Sequence, residues 1–147
     1  MPIIRKQDWS KREESLPGLE FYDIAGSAQG THSLKVGQVT FAPNTRAPRH
    51  IHTNTEEAMI VLEGTLDALV GSQRITITSG DTVLAPAGTV HGFVNRYDTP
   101  ARVLFVFPIH NPDRVLASVS GATSGFPSEQ GLTGYSSPQD RPLERQE

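Results

Sequence analysis

Three of the five histidines and one glutamate of this chain have the types and spacing of a transition-metal site. His50-Ile51-His52 is followed after four residues by Glu57 and after six more by Gly64, in a stretch that begins at Asn44. A second stretch, Gly80 to Asn95, carries Pro86, Gly88 and His91 as G-x5-P-x-G-x2-H-x3-N. Successive side chains of a strand point to opposite faces, so His50 and His52 share one and a single ion can take both imidazoles. A lone His-x-His pair is more often two hydrogen-bonded or solvated rings. Here the second stretch supplies a third imidazole, and metal binding becomes the stronger reading. Glu56 competes with Glu57 for the carboxylate role but would face the other way, and the six-residue interval to Gly64 selects Glu57.

Three neutral imidazoles and one carboxylate suit Fe, Mn, Co, Ni, Cu or Zn, with affinity following the Irving–Williams order. Four protein ligands on an octahedral ion leave about two positions for water or substrate. Such a site acts on small molecules. The chain has no cysteine, so thiolate sites and disulfides are excluded. Since imidazole must be neutral to ligate, metal should be lost as pH falls below about 6.

Positioning these ligands requires short strands, and the chain between Glu20 and Phe107 reads that way. Leu34, Val36, Val39 and Phe41 alternate with polar residues, with a phase slip at Gly37 that suggests a bulge. Ala58–Leu62, Thr65–Val70 and Gln73–Thr78 follow, the last two joined by Gly71-Ser72, a two-residue hairpin signal. Thr82–Ala85, Thr89–Asn95 and the strongly apolar Arg102–Phe107 complete the set. Regular spacing of this kind without intervening helices predicts a closed or two-sheet all-β fold. His91, Phe93 and Asn95 share a face, and Gly64, Gly80 and Gly88 mark turns. Asn111-Pro112-Asp113 has the composition of a helix start and Gly121 of a stop, so 111–121 is expected as a short helix. Residues 1–18 are a charged lead-in with Trp9 and Leu16 worth burying, and 122–147 are expected as a flexible polar tail, the alternative being that Phe126, Leu132 and Tyr135 pin it across the barrel or a partner subunit.

With 147 residues the chain can bury a real core, and a net charge of −3 gives no field for nucleic acid or anionic membrane. No apolar run approaches the ~18 residues of a membrane span, and the first residues lack the pattern of a signal peptide. A soluble, cytoplasmic protein is the expectation.

The two histidine-bearing stretches resemble the paired motifs of the cupin superfamily, matching across about 44–95 at nearly every fixed position. Asn44 stands where that family usually has glycine; asparagine is the next residue to tolerate the left-handed conformation. The resemblance implies a small jelly-roll barrel spanning 19–110, usually dimeric, with a divalent metal inside one end held by His50, His52, Glu57 and His91. It implies a small-molecule substrate and leaves the reaction open among dioxygenases, isomerases, decarboxylases, lyases, polyketide cyclases and binders without activity. An oxygenase is the first expectation, a non-oxidative metal enzyme the alternative, and a non-enzymatic binder the third. Met59 and Phe93 are candidates to line the substrate cavity, and ordinary barrel core is the equal alternative. Arg46, of the same parity as His50, is the candidate to point into its mouth and hold an anionic group, the other reading being a solvated loop arginine, since Pro43 to Pro48 need not be regular strand. His110 is a candidate rim acid or base that is better read as a surface residue. The apolar face of Ala58, Ile60 and Leu62, opposite Glu57, calls for a second layer or another subunit, hence a homodimer.

Overall fold

The computed structural model describes residues 2–13 and 16–117. Eleven strands form two antiparallel sheets: β1 Ser10–Lys11, β2 Leu19–Ala25, β3 Lys35–Phe41, β4 Thr45–Ile51, β5 Glu57–Glu63, β6 Thr65–Val70, β7 Gln73–Thr78, β8 Thr82–Ala85, β9 His91–Asn95, β10 Ala101–Phe107 and β11 Val115–Leu116. One sheet runs β1-β2-β3-β10-β5-β8 and the other β11-β4-β9-β6-β7. This is the expected all-β double-sheet jelly roll.

Burial alternates along the strands as the pleat requires. In β10, Ala101, Val103, Phe105 and Phe107 are buried and the residues between them are not. These four join Leu19, Phe41, Met59, Val61, Leu66 and Phe93 in one continuous core between the sheets. Local departures from regular pairing shape it. Where alternation slips at Gly37, the extra residue lies on the partner strand, between Asp23 and Ala25 of β2. Gly37 itself makes room for a ring, since a Cβ there would come within 2.2 Å of Phe105 Cζ. Asn44 turns the chain into β4 at φ 56°, the left-handed conformation expected for it.

No helix forms over 111–117. Residues 111–114 are irregular and Val115–Leu116 pair with Ile51 and His50 of β4 as an edge strand. The expected helix is corrected for a physical reason: the Asp113 carboxylate is turned to another loop, where it accepts from Thr53 N (2.6 Å) and the Thr53 hydroxyl. Asn54 completes the latch, accepting from Asp113 N (3.0 Å) and donating to Asn111 O (3.0 Å). The remainder of the expected helix and the polar tail lie outside the described residues. The lead-in is more structured than its composition implies: Trp9 lies beside Tyr22 with centroids 6.4 Å apart, and Leu16 packs on the core. Among the described residues no helix is long and apolar enough to cross a membrane.

Candidate metal centre

His50 and His91 are directly opposed in the β4–β9 ladder, so the register of one sheet brings two imidazoles together. Glu57 opens β5 in the other sheet, and His52 follows the end of β4. The four ligand-capable atoms lie within 4.8 Å of one another. The sheets thus converge on one point. Glu56 is exposed and takes no part.

Each imidazole is oriented by a backbone carbonyl. His50 Nδ1 lies 2.9 Å from Pro48 O, His91 Nδ1 2.9 Å from Thr89 O, and His52 Nδ1 is hydrogen-bonded to Asp113 O. Carbonyls only accept, so all three Nδ1 atoms carry the proton and all three Nε2 lone pairs face inward. There they meet the Glu57 carboxylate: Oε2 is 2.9 Å from His91 Nε2 and 3.0 Å from His52 Nε2. The second approach is close but off-axis, and His52 Nε2 is buried without a hydrogen bond. Four acceptors aimed at one another without a donor are the arrangement a cation satisfies, and the donor set fits a divalent transition metal.

Charge states in the metal-free chain follow from the same geometry. Burial, reinforced by His91, pushes His50 down to about 3. Burial alone would raise Glu57, but the ring nitrogens of His52 and His91 outweigh it and hold the carboxyl at about 2. Burial likewise opposes charging of His52, yet Glu57 and the Asp113 carbonyl overcome it and its pKa rises. A neutral imidazole and an ionised carboxylate stand ready at neutral pH.

The cluster forms the floor of a cavity of about 230 Å³. Its walls include Phe21, Phe41, Phe93, Phe105 and Phe107, and Met59 lies on the lining with the ligands. Phe107 packs edge-on against His52, centroids 5.0 Å apart. Arg46 is corrected: it is exposed and is not on the lining. A register shift in β4 between Ala47 and His50 breaks the parity that linked it to His50, and Ala47 faces the cavity instead. The cations at the cavity are Arg12, Lys35 and Arg114, which alternation along the motif strands could not reveal. Asn95 serves the scaffold: its amide donates to Phe41 O, Ala42 O and Thr99 O, and its carbonyl accepts from Tyr97 N. His110 bonds Thr31 Oγ1 at 2.8 Å, away from the cavity.

Comparison with known proteins agrees with this architecture. Residues 37–107 match the family model described as the cupin domain. Germin-like protein 5-1 of Oryza sativa subsp. japonica is 32% identical over 99 residues, 64% of this chain and 40% of that protein. Quercetin 2,3-dioxygenase of Bacillus subtilis is 39% identical over 46 residues, 31% of this chain and 14% of that enzyme. Among solved structures, the polyketide cyclase RemF from Streptomyces resistomycificus superposes with a TM-score of 0.72 at 22% identity, covering 91% of this chain and 94% of that one, a likeness of fold. The chain spans about half the length or less of the first curated relatives, 40%, 49% and 48%.

Proposed function

Since the chain carries a cupin domain of the cupin superfamily, we propose that it is a metal-dependent enzyme acting on a small aromatic substrate, and that the reaction is an oxygenation. The observation that carries this is the make-up of the cavity. Among the described residues its titratable lining consists of His50, His52 and Glu57 and the cations Arg12, Lys35 and Arg114; every other lining residue is apolar. Isomerases, lyases and decarboxylases that move protons need an acid or base within hydrogen-bond reach of the substrate. Here the histidines and the carboxylate are committed to the cluster, which leaves Lys35 as the candidate acid or base among the described lining residues. An oxygenase needs instead an apolar chamber that admits O₂ beside an oxygen-bearing ring.

A redox-active divalent ion held by His50, His52, Glu57 and His91 would supply Lewis acidity and electron exchange with O₂. The carbonyls of Pro48, Thr89 and Asp113 keep the rings in the ligating tautomer. Glu57 cancels one positive charge of a divalent ion, so the centre still attracts a phenolate or enolate oxygen. Phe93, Phe105 and Phe107 offer ring faces and edges to an aromatic substrate and exclude water from it. We propose further that the chain is a homodimer. The structure turns Ala58, Ile60 and Leu62 to the outside of the six-stranded sheet, with Leu84 of β8 opposite Ala58.

Oxygen uptake by the metal-loaded full chain, with catechols, flavonols and polyketide-like phenols, tests the reaction. Substrate-dependent consumption abolished by a chelator is the expected result. Turnover that proceeds equally without O₂ would move the chemistry to the cyclases and isomerases; binding without turnover in either atmosphere would leave a non-enzymatic binder.

A further inference from the structure

The cavity is apolar along its walls and positive in its polar lining, in a chain whose net charge is −3. Its three cations are not equivalent. Arg12 is offset: its Nε and Nη2 reach Asp23 Oδ1 at 2.9 and 2.8 Å, and its guanidinium lies 5.8 and 5.5 Å from the ring centroids of Phe21 and Phe105. Arg12 therefore works as wall and brings little net charge.

Lys35 and Arg114 differ. Among the described residues neither has a carboxylate partner, and both line the cavity. Lys35 belongs to the six-stranded sheet, and Arg114 lies in the irregular segment just before β11 of the other. Lys35 opens β3 and is paired with Phe107, the residue that packs on His52. Arg114 lies between Asp113, whose carbonyl orients His52, and Val115, which pairs with Ile51 of β4. Its charge is felt at both His50 and His52. Apolar walls focus the field of two such cations on whatever enters between them. A guanidinium fork and an ammonium together match a carboxylate, the first by geometry and the second by charge.

We infer that the ligand of this cavity is a carboxylated aromatic molecule, its oxygen-bearing ring edge toward the histidine cluster and its carboxylate held by Lys35 and Arg114. The inference rests on the metal centre proposed above and adds the class of substrate. It also explains the position of Arg114 on the segment that orients His52, since an anion bound there would hold that segment down.

The test is a titration of the Co(II)-loaded full chain with protocatechuate and with its neutral amide, two probes of nearly equal shape, read by the visible absorption of cobalt. Protocatechuate is expected to bind about tenfold tighter or more. Arg114→Met and Lys35→Met should each reduce that preference at least about threefold with cobalt content unchanged, and Arg114→Lys should retain part of it. Equal affinity for the two probes in the wild type, or an undiminished preference in the double variant, overturns the inference while the cobalt spectrum keeps the metal centre standing. A wild-type chain that retains no cobalt removes the metal centre, and the inference falls with it.

Discussion

Replacing Asp113 by alanine should weaken metal binding although Asp113 offers no side chain to the metal. Its carboxylate accepts from Thr53 N and from the Thr53 hydroxyl, and its main-chain carbonyl accepts from His52 Nδ1. The alanine variant keeps the carbonyl but loses both side-chain bonds that fix it over the β4–β5 loop. Of the latch, the bond from residue 113 N to Asn54 Oδ1 and the bond from Asn54 Nδ2 to Asn111 O remain. Removing a partner that orients a ligand outright weakens metal affinity about 10–100-fold. Because here the carbonyl is loosened and not removed, the expected loss is about tenfold, and Asp113→Asn, which keeps one acceptor, should fall between. The latch also predicts a pH dependence. The Thr53 hydroxyl, opposed by burial and aided by the backbone donors, lowers the Asp113 pKa. A depressed carboxyl contributes above its ordinary range and is lost as pH falls below it, so the wild-type advantage over Asp113→Ala should be full at neutrality and shrink below about pH 4. Competition against a chromophoric chelator measures both. An alanine variant of wild-type affinity at pH 7 would show that Asp113 does not position His52.

Asn95→Ala should destabilise the fold by about 2–4 kcal/mol, because a fully buried amide with four backbone partners is lost. Its metal stoichiometry should be unchanged; loss of metal from a folded variant would place Asn95 in the centre itself. As pH falls, His50 and Glu57 remain deprotonated to about 3 and about 2, but His52, whose pKa rises against burial through Glu57 and the Asp113 carbonyl, is protonated before them. Because that one proton must leave before His52 can ligate, metal affinity should fall by up to about tenfold per pH unit as pH drops below the ordinary histidine range, and a flat profile would contradict the ligand set. Leu84 is 65% exposed opposite Ala58, so Leu84→Glu should convert a dimer to monomer in sedimentation velocity. A wild type that already sediments as a monomer at micromolar concentration would refute the dimer.

Most strands were legible because each buries one face, and alternation exposes that face in the residue order. Even short β8 was readable, with Val83 and Ala85 buried and Leu84 out. The cluster was legible for the same reason, since two-residue spacing puts His50 and His52 on one side. What alternation cannot reveal is an extra residue. The irregularity in β4 reverses parity between Arg46 and His50, and its signal in the residue order is Pro48, which marks a bulge or an edge without saying which. Nor does residue order distinguish the uses of an aspartate after Asn-Pro: the atoms that could cap a helix instead latch a loop 60 residues away. Arg12 is not legible in the residue order because its place depends on β1 pairing with β2, a two-residue ladder too short to carry a pattern.

His50, His52, Glu57 and His91 are proposed together to hold one metal ion. Elemental analysis of the untagged chain, beside His91→Ala prepared identically and shown by circular dichroism to be folded, tests it most directly. One equivalent of a divalent transition metal in the wild type and less than about a tenth in the variant is the result expected from four converging ligands. Full occupancy in folded His91→Ala, or no metal in a wild type offered Mn, Fe, Co, Ni, Cu and Zn in turn, would contradict it.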